Sequence, residues 1–227
     1  MGQEEEYREQ RERMVDLQLA GRGIRDRRVL EVMRTVPRHL FVPPEQRHLA
    51  YVDAPLPIGE RQTISQPYIV ALMTELLELQ GPEVVLEIGT GSGYQAAILS
   101  RLAKKVYTLE RIGALAERAR KTLEQLGYDN VEVIQTDGSA GYPEHAPYQA
   151  IIVTAAAPRV PSPLEEQLDI GGRLVIPVGG RMGQILERWR RTEEGMTREK
   201  MAPVAFVPLI GNHAWSEESG SRGWWRL

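Results

Sequence analysis

Apolar and polar positions follow two regimes along the chain, and the second begins near residue 68. Ile69, Val70, Leu72, Met73, Leu76 and Leu77 recur at helical spacing and predict a helix over 68–79. The apolar run 84–88 is short and ends at a glycine cluster, which predicts a buried strand. The alternation continues with a helix over 94–102, a strand over 105–110, a helix over 114–126, and strands over 131–135 and 150–154. A short helix over 163–168 leads into a strand over 173–178. Strands alternating with helices predict right-handed βαβ units, so the expected fold is α/β, a doubly wound, mostly parallel sheet. Residues 184–191, a turn at 192–195 and a strand over 204–209 predict an antiparallel C-terminal addition.

The first 67 residues are patterned differently. Residues 4–20 are charged, carry Met14, Val15, Leu17 and Leu19, and predict a helix that stops at Gly21-Arg22-Gly23. Asp26 is placed to cap a second helix bearing Val29, Leu30, Val32 and Met33, which ends before Pro37. Six prolines between Pro37 and Pro67 argue against a long helix there. Phe41, Val42, Leu49, Tyr51, Val52, Leu56 and Ile58 predict that this irregular stretch is ordered. The expected organisation is one compact domain. An N-terminal helical and proline-rich segment over 1–80 packs on an α/β core over 81–211, and a tail follows over 212–227.

Composition narrows the chemistry. The absence of Cys removes disulfides, thiolate zinc sites, iron–sulfur clusters and a Cys nucleophile. His39, His48, His145 and His213 show no metal-ligand spacing and read as surface or packing residues, so no metal is expected. With 28 Lys and Arg against 31 Asp and Glu, the net charge of −3 is a poor match to nucleic acid. No apolar run approaches the ~20 residues of a membrane span, and the acidic start lacks the pattern of a secretory signal. A soluble, cytoplasmic monomer with neither membrane nor nucleic acid as partner is the expected setting.

Candidate chemistry gathers at Gly89-Thr90-Gly91-Ser92-Gly93, between a strand and a helix. Glycines there let a ligand approach the backbone, at the carboxyl edge of the sheet where ligands bind. A dinucleotide fingerprint counted from Gly89 needs a glycine where Tyr94 stands, and the third glycine is instead Gly93. The spelling Glu87-Ile88-Gly89-Thr90-Gly91-Ser92-Gly93 resembles the first motif of the class I S-adenosylmethionine-dependent methyltransferases. On that resemblance Glu87 answers the cofactor's ammonium and Glu110 accepts from its ribose hydroxyls. Asp137-Gly138, after the third strand, stands where an adenine-contacting acid is expected. Dinucleotide enzymes use an acid at the Glu110 position too, so an NAD-dependent oxidoreductase remains the alternative.

The upstream element Gly59-Glu60-Arg61-Gln62-Thr63-Ile64-Ser65-Gln66-Pro67 is more specific. Taken with Val36-Pro37-Arg38-His39-Leu40-Phe41-Val42-Pro43, Ala155-Ala156-Ala157-Pro158 and Gly171-Gly172-Arg173-Leu174-Val175-Ile176-Pro177, it resembles the protein-L-isoaspartate O-methyltransferase family. The likeness runs over about residues 10–211. It implies methyl transfer to the α-carboxyl of L-isoaspartyl residues in damaged proteins and peptides, and an altered strand order at the end of the sheet. It also implies Ser65 as the active-site residue, with Gln62, Thr63 and Ile64 at the substrate. The acceptor is an ionised carboxylate and the leaving group a neutral thioether, so no general base is required. By its own context Ser65 reads as the cap of a helix starting at Pro67.

Residues 52–62 are the expected lid, and 204–209 the expected strand edge for pairing with a peptide backbone. Many relatives carry Thr where Ile210 follows Val207-Pro208-Leu209. Arg188, Arg190 and Arg191 read as a solvated strand face, and Trp224-Trp225 lies outside the resemblance. A non-catalytic sensor that binds the cofactor and damaged chains is the other alternative, and the intact Ser65 and glycine loop weigh against it.

Overall fold

A computed structural model describes residues 2–218. Helix α1 (Gln3–Arg13) continues into a π-helical turn over Met14–Leu19 and a 3-10 turn over Ala20–Arg22. It ends at Gly23, whose φ of 104° suits only a residue without Cβ. The wider π turn carries Met14, Val15 and Leu19, all buried. Helix α2 (Arg27–Thr35) starts at Asp26, whose side chain accepts from Arg28 N at 2.8 Å, as its sequence predicts.

The proline-rich stretch is ordered, and it contains a hairpin that the sequence pattern did not predict. After two 3-10 turns, β1 (Leu56–Gly59) pairs antiparallel with β2 (Gln62–Ile64). Strands of four and three residues are too short to display a period of two. Helix α3 (Pro67–Leu76) follows, and Ser65 does not cap it. Gln66 occupies the cap position, and Asp53 accepts from Tyr68 N at 3.0 Å and from Gln66 Nε2 at 2.6 Å. The cap is supplied from a distance, which frees the Ser65 hydroxyl.

The core alternates as expected through β3 (Val84–Ile88), α4 (Tyr94–Ser100), β4 (Lys105–Glu110), α5 (Gly113–Gln125), β5 (Val131–Gln135), β6 (Tyr148–Val153) and α6 (Ser162–Gln167). Three long strands close the chain: β7 (Leu168–Gly180), β8 (Gly183–Thr192) and β9 (Gly195–Val204). The sheet order is β5-β4-β3-β6-β7-β8-β9, parallel as far as β7 and antiparallel beyond it. The chain winds outward from β3 to β5 and returns to the other side of β3 as β6. That reversal opens a crevice at the carboxyl ends of β3 and β6. Alternate residues of the central strands feed two cores, Val85, Ala150 and Ile152 on one face and Leu86, Ile88, Ile151 and Val153 on the other. The first core also takes Met14, Leu19, Met33 and Leu77 from the N-terminal segment, which is thereby part of the same body.

Two C-terminal expectations are corrected. The last strand ends at Val204 instead of starting there, because β9 is almost wholly exposed and its charged residues give no apolar alternation. Residues 205–209 leave the sheet edge and cross the end of β6. Ala156 N donates to Val207 O at 2.7 Å and Leu209 N to Ala156 O at 2.8 Å. Nor do the β8 arginines form a solvated face. Arg188 and Arg190, joined by Arg173, converge on Glu78, and Arg191 donates to the carbonyls of Glu165, Glu166 and Leu168 at the end of α6. His39 is buried, stacked on Tyr7 and 2.8 Å from the Tyr51 hydroxyl. Among the described residues no helix is long and apolar enough to cross a membrane.

Candidate active site

The three loop glycines have different tasks. Gly89 leaves β3 with φ 96°, and a Cβ there would stand 2.5 Å from Thr154 Oγ1 at the end of β6. Gly91, at φ 54°, faces the crevice, and its N–H donates to Glu110 Oε2 at 2.9 Å. Gly93 turns the other way. A Cβ there would meet Leu123 and Ala119 of α5 at 3.3–3.4 Å, so this glycine lets α4 pack closely on α5. Two of the loop's bonds are internal: Gly93 N bonds Thr90 O at 2.8 Å and Tyr94 N bonds Ser92 Oγ at 3.3 Å.

Glu110 closes the end of β4. Its Oε1 accepts from Ile112 N at 2.9 Å while Oε2 takes Gly91 N, which fixes the carboxylate in place with lone pairs to spare. Glu87 is a different kind of acid. It is wholly buried in β3, and neither oxygen has a hydrogen-bond partner among the described residues. The nearby Thr108 hydroxyl is committed to Thr90 Oγ1 at 2.6 Å. Burial pushes the Glu87 carboxyl up to about 8, only partly offset by Thr108 and reinforced by Glu110. Burial thus favours its neutral form.

Asp137 is held by its own loop and by the C-terminal segment. Its Oδ1 accepts from Ser139 N at 2.9 Å and Ser139 Oγ at 2.7 Å, and its Oδ2 from Asn212 N at 2.8 Å. Burial raises this carboxyl, but the hydrogen bonds from Asn212 and Ser139 outweigh it and hold the group below the ordinary Asp range. Gly138 lies at the crevice between Ile88 and Leu109, where a Cβ would come within 2.5 Å of Ile88 Cγ2.

The opposite wall is the hairpin. Its turn residues Glu60 and Arg61 hold φ of 50° and 56°, the left-handed region that L side chains avoid. Arg118 of α5 donates to Ile58 O and ties β1 to the core. Within residues 52–62, the expected lid, Glu60, Arg61 and Gln62 line the crevice, and the segment is tied down through Asp53 and Arg118. The C-terminal segment forms the roof. Val207 to Ile210 line the crevice there, and Glu217 reaches it with Oε1 2.9 Å from Arg111 Nη1. Of the expected tail, Glu217 and Glu218 line the site; Trp224-Trp225 lies outside the described residues.

Together these walls enclose a cavity of about 480 Å³, within the range of small-molecule sites. Gln62, Thr63, Ile64, Ser65, Gly89, Thr90, Gly91, Ser92, Glu110 and Gly138 all line it. Glu87, Gly93 and Asp137 stand behind it. Sequence reasoning missed Gln95, Arg111, Thr154 and Glu217, which also line it. Thr154 was findable as the residue following a parallel strand at the switch point. Glu217, more than a hundred residues from Arg111, carried no signal.

Comparison with known proteins identifies a family. Residues 9–214 match the family described as protein-L-isoaspartate(D-aspartate) O-methyltransferase. A protein-L-isoaspartate O-methyltransferase of Methanoregula boonei is 60% identical over 207 residues, covering 91% of this chain and 95% of its own. Its counterpart in Geobacter metallireducens is 57% identical over 209 residues, covering 92% and 97%. A solved protein-L-isoaspartate O-methyltransferase structure superposes with a TM-score of 0.80 at 30% identity, covering 90% of this chain and 67% of that one. Another, from Plasmodium falciparum in complex with S-adenosyl-L-homocysteine, has a TM-score of 0.77 at 25% identity and covers 88% and 98%.

Proposed function

The chain belongs to the protein-L-isoaspartate(D-aspartate) O-methyltransferase family, and from that premise we propose how its site works. The enzyme transfers a methyl group from S-adenosylmethionine to the α-carboxyl of L-isoaspartyl residues in damaged proteins and peptides. The observation that carries the assignment of residues is a single cavity with Ser65 on one wall and the glycine loop on the other.

The residues fit this cofactor. Gly89 and Gly91 admit close approach along the loop from Gly89 to Ser92, with Thr90 held by Thr108. Glu110 keeps free lone pairs for ribose hydroxyls. Gly138 with Ile88 and Leu109 offers a flat apolar surface for an adenine, with Asp137 fixed directly behind it. Glu87, neutral and unpartnered beneath the loop, is the acid that ionises against the cofactor's ammonium, and Gly93 sets the angle at which the loop meets α4.

When bound, S-adenosylmethionine supplies a methyl group on a cationic sulfur. The protein need add neither base nor nucleophile, because the acceptor carboxylate is already ionised at neutral pH. Its task is to align and to exclude water. Ser65 donates a hydrogen bond that orients the carboxylate. Gln62 and Thr63 hold the neighbouring peptide, and Ile64, 4% exposed, anchors the hairpin beneath them. Ser65 is not an acyl-enzyme nucleophile, since it sits on no G-x-S-x-G elbow. Ile210 gives the roof an apolar residue.

Incubation with radiolabelled S-adenosylmethionine and paired isoaspartyl and aspartyl peptides tests the reading. Label is expected on the isoaspartyl peptide alone; equal labelling of both, or none, overturns it.

A further inference from the structure

Asp-Gly is the dipeptide most open to spontaneous isomerisation among Asp-X pairs, because glycine leaves the following amide nitrogen unhindered. The chain contains a single one, Asp137-Gly138, and no Asn-Gly. The fold holds both residues closely. A Cβ at position 138 would stand 2.5 Å from Ile88 Cγ2 and 3.6 Å from Leu109 Cβ. The Asp137 carboxylate holds Ser139 N, Ser139 Oγ and Asn212 N, and Ser139 Oγ in turn accepts from His213 N at 3.0 Å. Gly211 is packed so tightly that a Cβ there would collide with the same carboxylate.

We propose that residues 211–213 form a latch that keeps Asp137-Gly138 from isomerising, and that this dipeptide becomes the chain's own modification site whenever the latch opens. In the reaction the Gly138 nitrogen bonds to Asp137 Cγ, and a carboxyl oxygen departs as water, taking up the amide proton. Water then adds to one of the two carbonyls of the cyclic imide. Opening at the original main-chain carbonyl routes the chain through the side chain, with no net change in atoms.

The fold opposes both requirements. At ψ 100° the Gly138 nitrogen points away from the Asp137 side chain. Closing the ring therefore needs a rotation that Ile88, Leu109 and Asn212 obstruct. The departing oxygen must also be protonated, and the hydrogen bonds that hold this carboxyl below the ordinary Asp range keep it ionised. An isoaspartyl linkage would add a main-chain carbon beneath the cavity and withdraw the carboxylate from Asn212, so a modified chain also loses its latch. The inference concerns the covalent state of the chain and stands whatever ligand fills the cavity.

The full chain and a synthetic peptide spanning residues 133–142 are aged side by side, and isoaspartate at position 137 is followed by chromatographic peptide mapping. The folded chain is expected to isomerise on the order of a hundredfold more slowly than the peptide, in proportion to how rarely the latch opens. Ser139→Ala removes a donor to Asp137 and the acceptor of His213 N. Gly211→Ala pushes the segment off from the other side. Aged below its melting midpoint, each variant is expected to isomerise on the order of tenfold faster than the unaltered chain. Equal rates in folded chain and peptide, or folded variants no faster than the unaltered chain, overturn the proposal.

Discussion

The two walls of the cavity are built in opposite ways. The glycine-loop wall comes from one contiguous strand, loop and helix, and its backbone is pinned across neighbouring parallel strands, as where Gly89 N bonds Leu109 O at 2.8 Å. The facing wall joins a hairpin near residue 60 to a roof from residues 207–210 and 217–218, held at its mouth by the Arg111–Glu217 ion pair. One wall is over-determined by buried backbone contacts. The other is exposed and carries backbone strain at Glu60 and Arg61. On the proposed division, cofactor against the loop and peptide against the hairpin, damage to the two walls is expected to appear in different measurements.

The largest effect is expected at Gly89. Alanine there adopts a costly φ of 96° and drives a Cβ to 2.5 Å from Thr154 Oγ1. Gly89→Ala is expected to weaken S-adenosylmethionine binding on the order of a hundredfold, near 3 kcal/mol, measured by calorimetry. Unaltered affinity would mean that this wall yields as readily as the other. Ser65→Ala is the counterpart. Losing one hydrogen bond to a charged group costs about 1.5–3 kcal/mol, so kcat/KM for an isoaspartyl peptide is expected to fall on the order of tenfold to a hundredfold. Cofactor affinity stays unchanged; its loss would show that Ser65 belongs to the loop wall.

Glu87 sharpens the contrast through pH. Its carboxyl is raised by burial from 4.5 to about 8, so the folded state holds a proton that the unfolded chain has released. That contribution to stability is complete below pH 4.5 and is lost as pH rises through 8. The loss is at most about 1.4 kcal/mol per pH unit. Glu87→Gln cannot ionise, so its melting temperature is expected to fall less than that of the unaltered chain across this window. Parallel curves would mean that Glu87 is ionised in the fold.

The same division governs what the sequence could disclose. The loop wall was readable because its signals are local: a buried strand, a glycine spacing, an acid at the next strand end. Glu110 and Gly138 were found by counting strand ends. The failures have long-range causes. Asp53 caps α3 from thirteen residues before the cap position itself. Asp137 stands behind the cavity, held by Ser139 and by Asn212, a contact across 75 residues that no local pattern discloses. β9 was misplaced because an exposed edge strand has no apolar face to alternate.

The smallest effect tests whether the hairpin's strain is related to its function. An L residue in the left-handed region costs roughly 1–2 kcal/mol, and Arg61 sits there at φ 56° beside the cavity-lining Gln62 and Thr63. Glycine relieves that cost but loses more freedom on folding, by roughly 0.5–1 kcal/mol. Arg61→Gly is therefore expected to stabilise the chain by about 0.5–1 kcal/mol net, a rise of roughly 1–4 °C in melting temperature for a chain of this size. If the strain serves to present Thr63 and Ser65, the more stable variant also shows a higher KM for isoaspartyl peptides. A variant that gains stability and keeps its KM would show the strain to be incidental. A variant that gains nothing would show the hairpin to be as firmly determined as the loop, and the contrast between the two walls would fall with it.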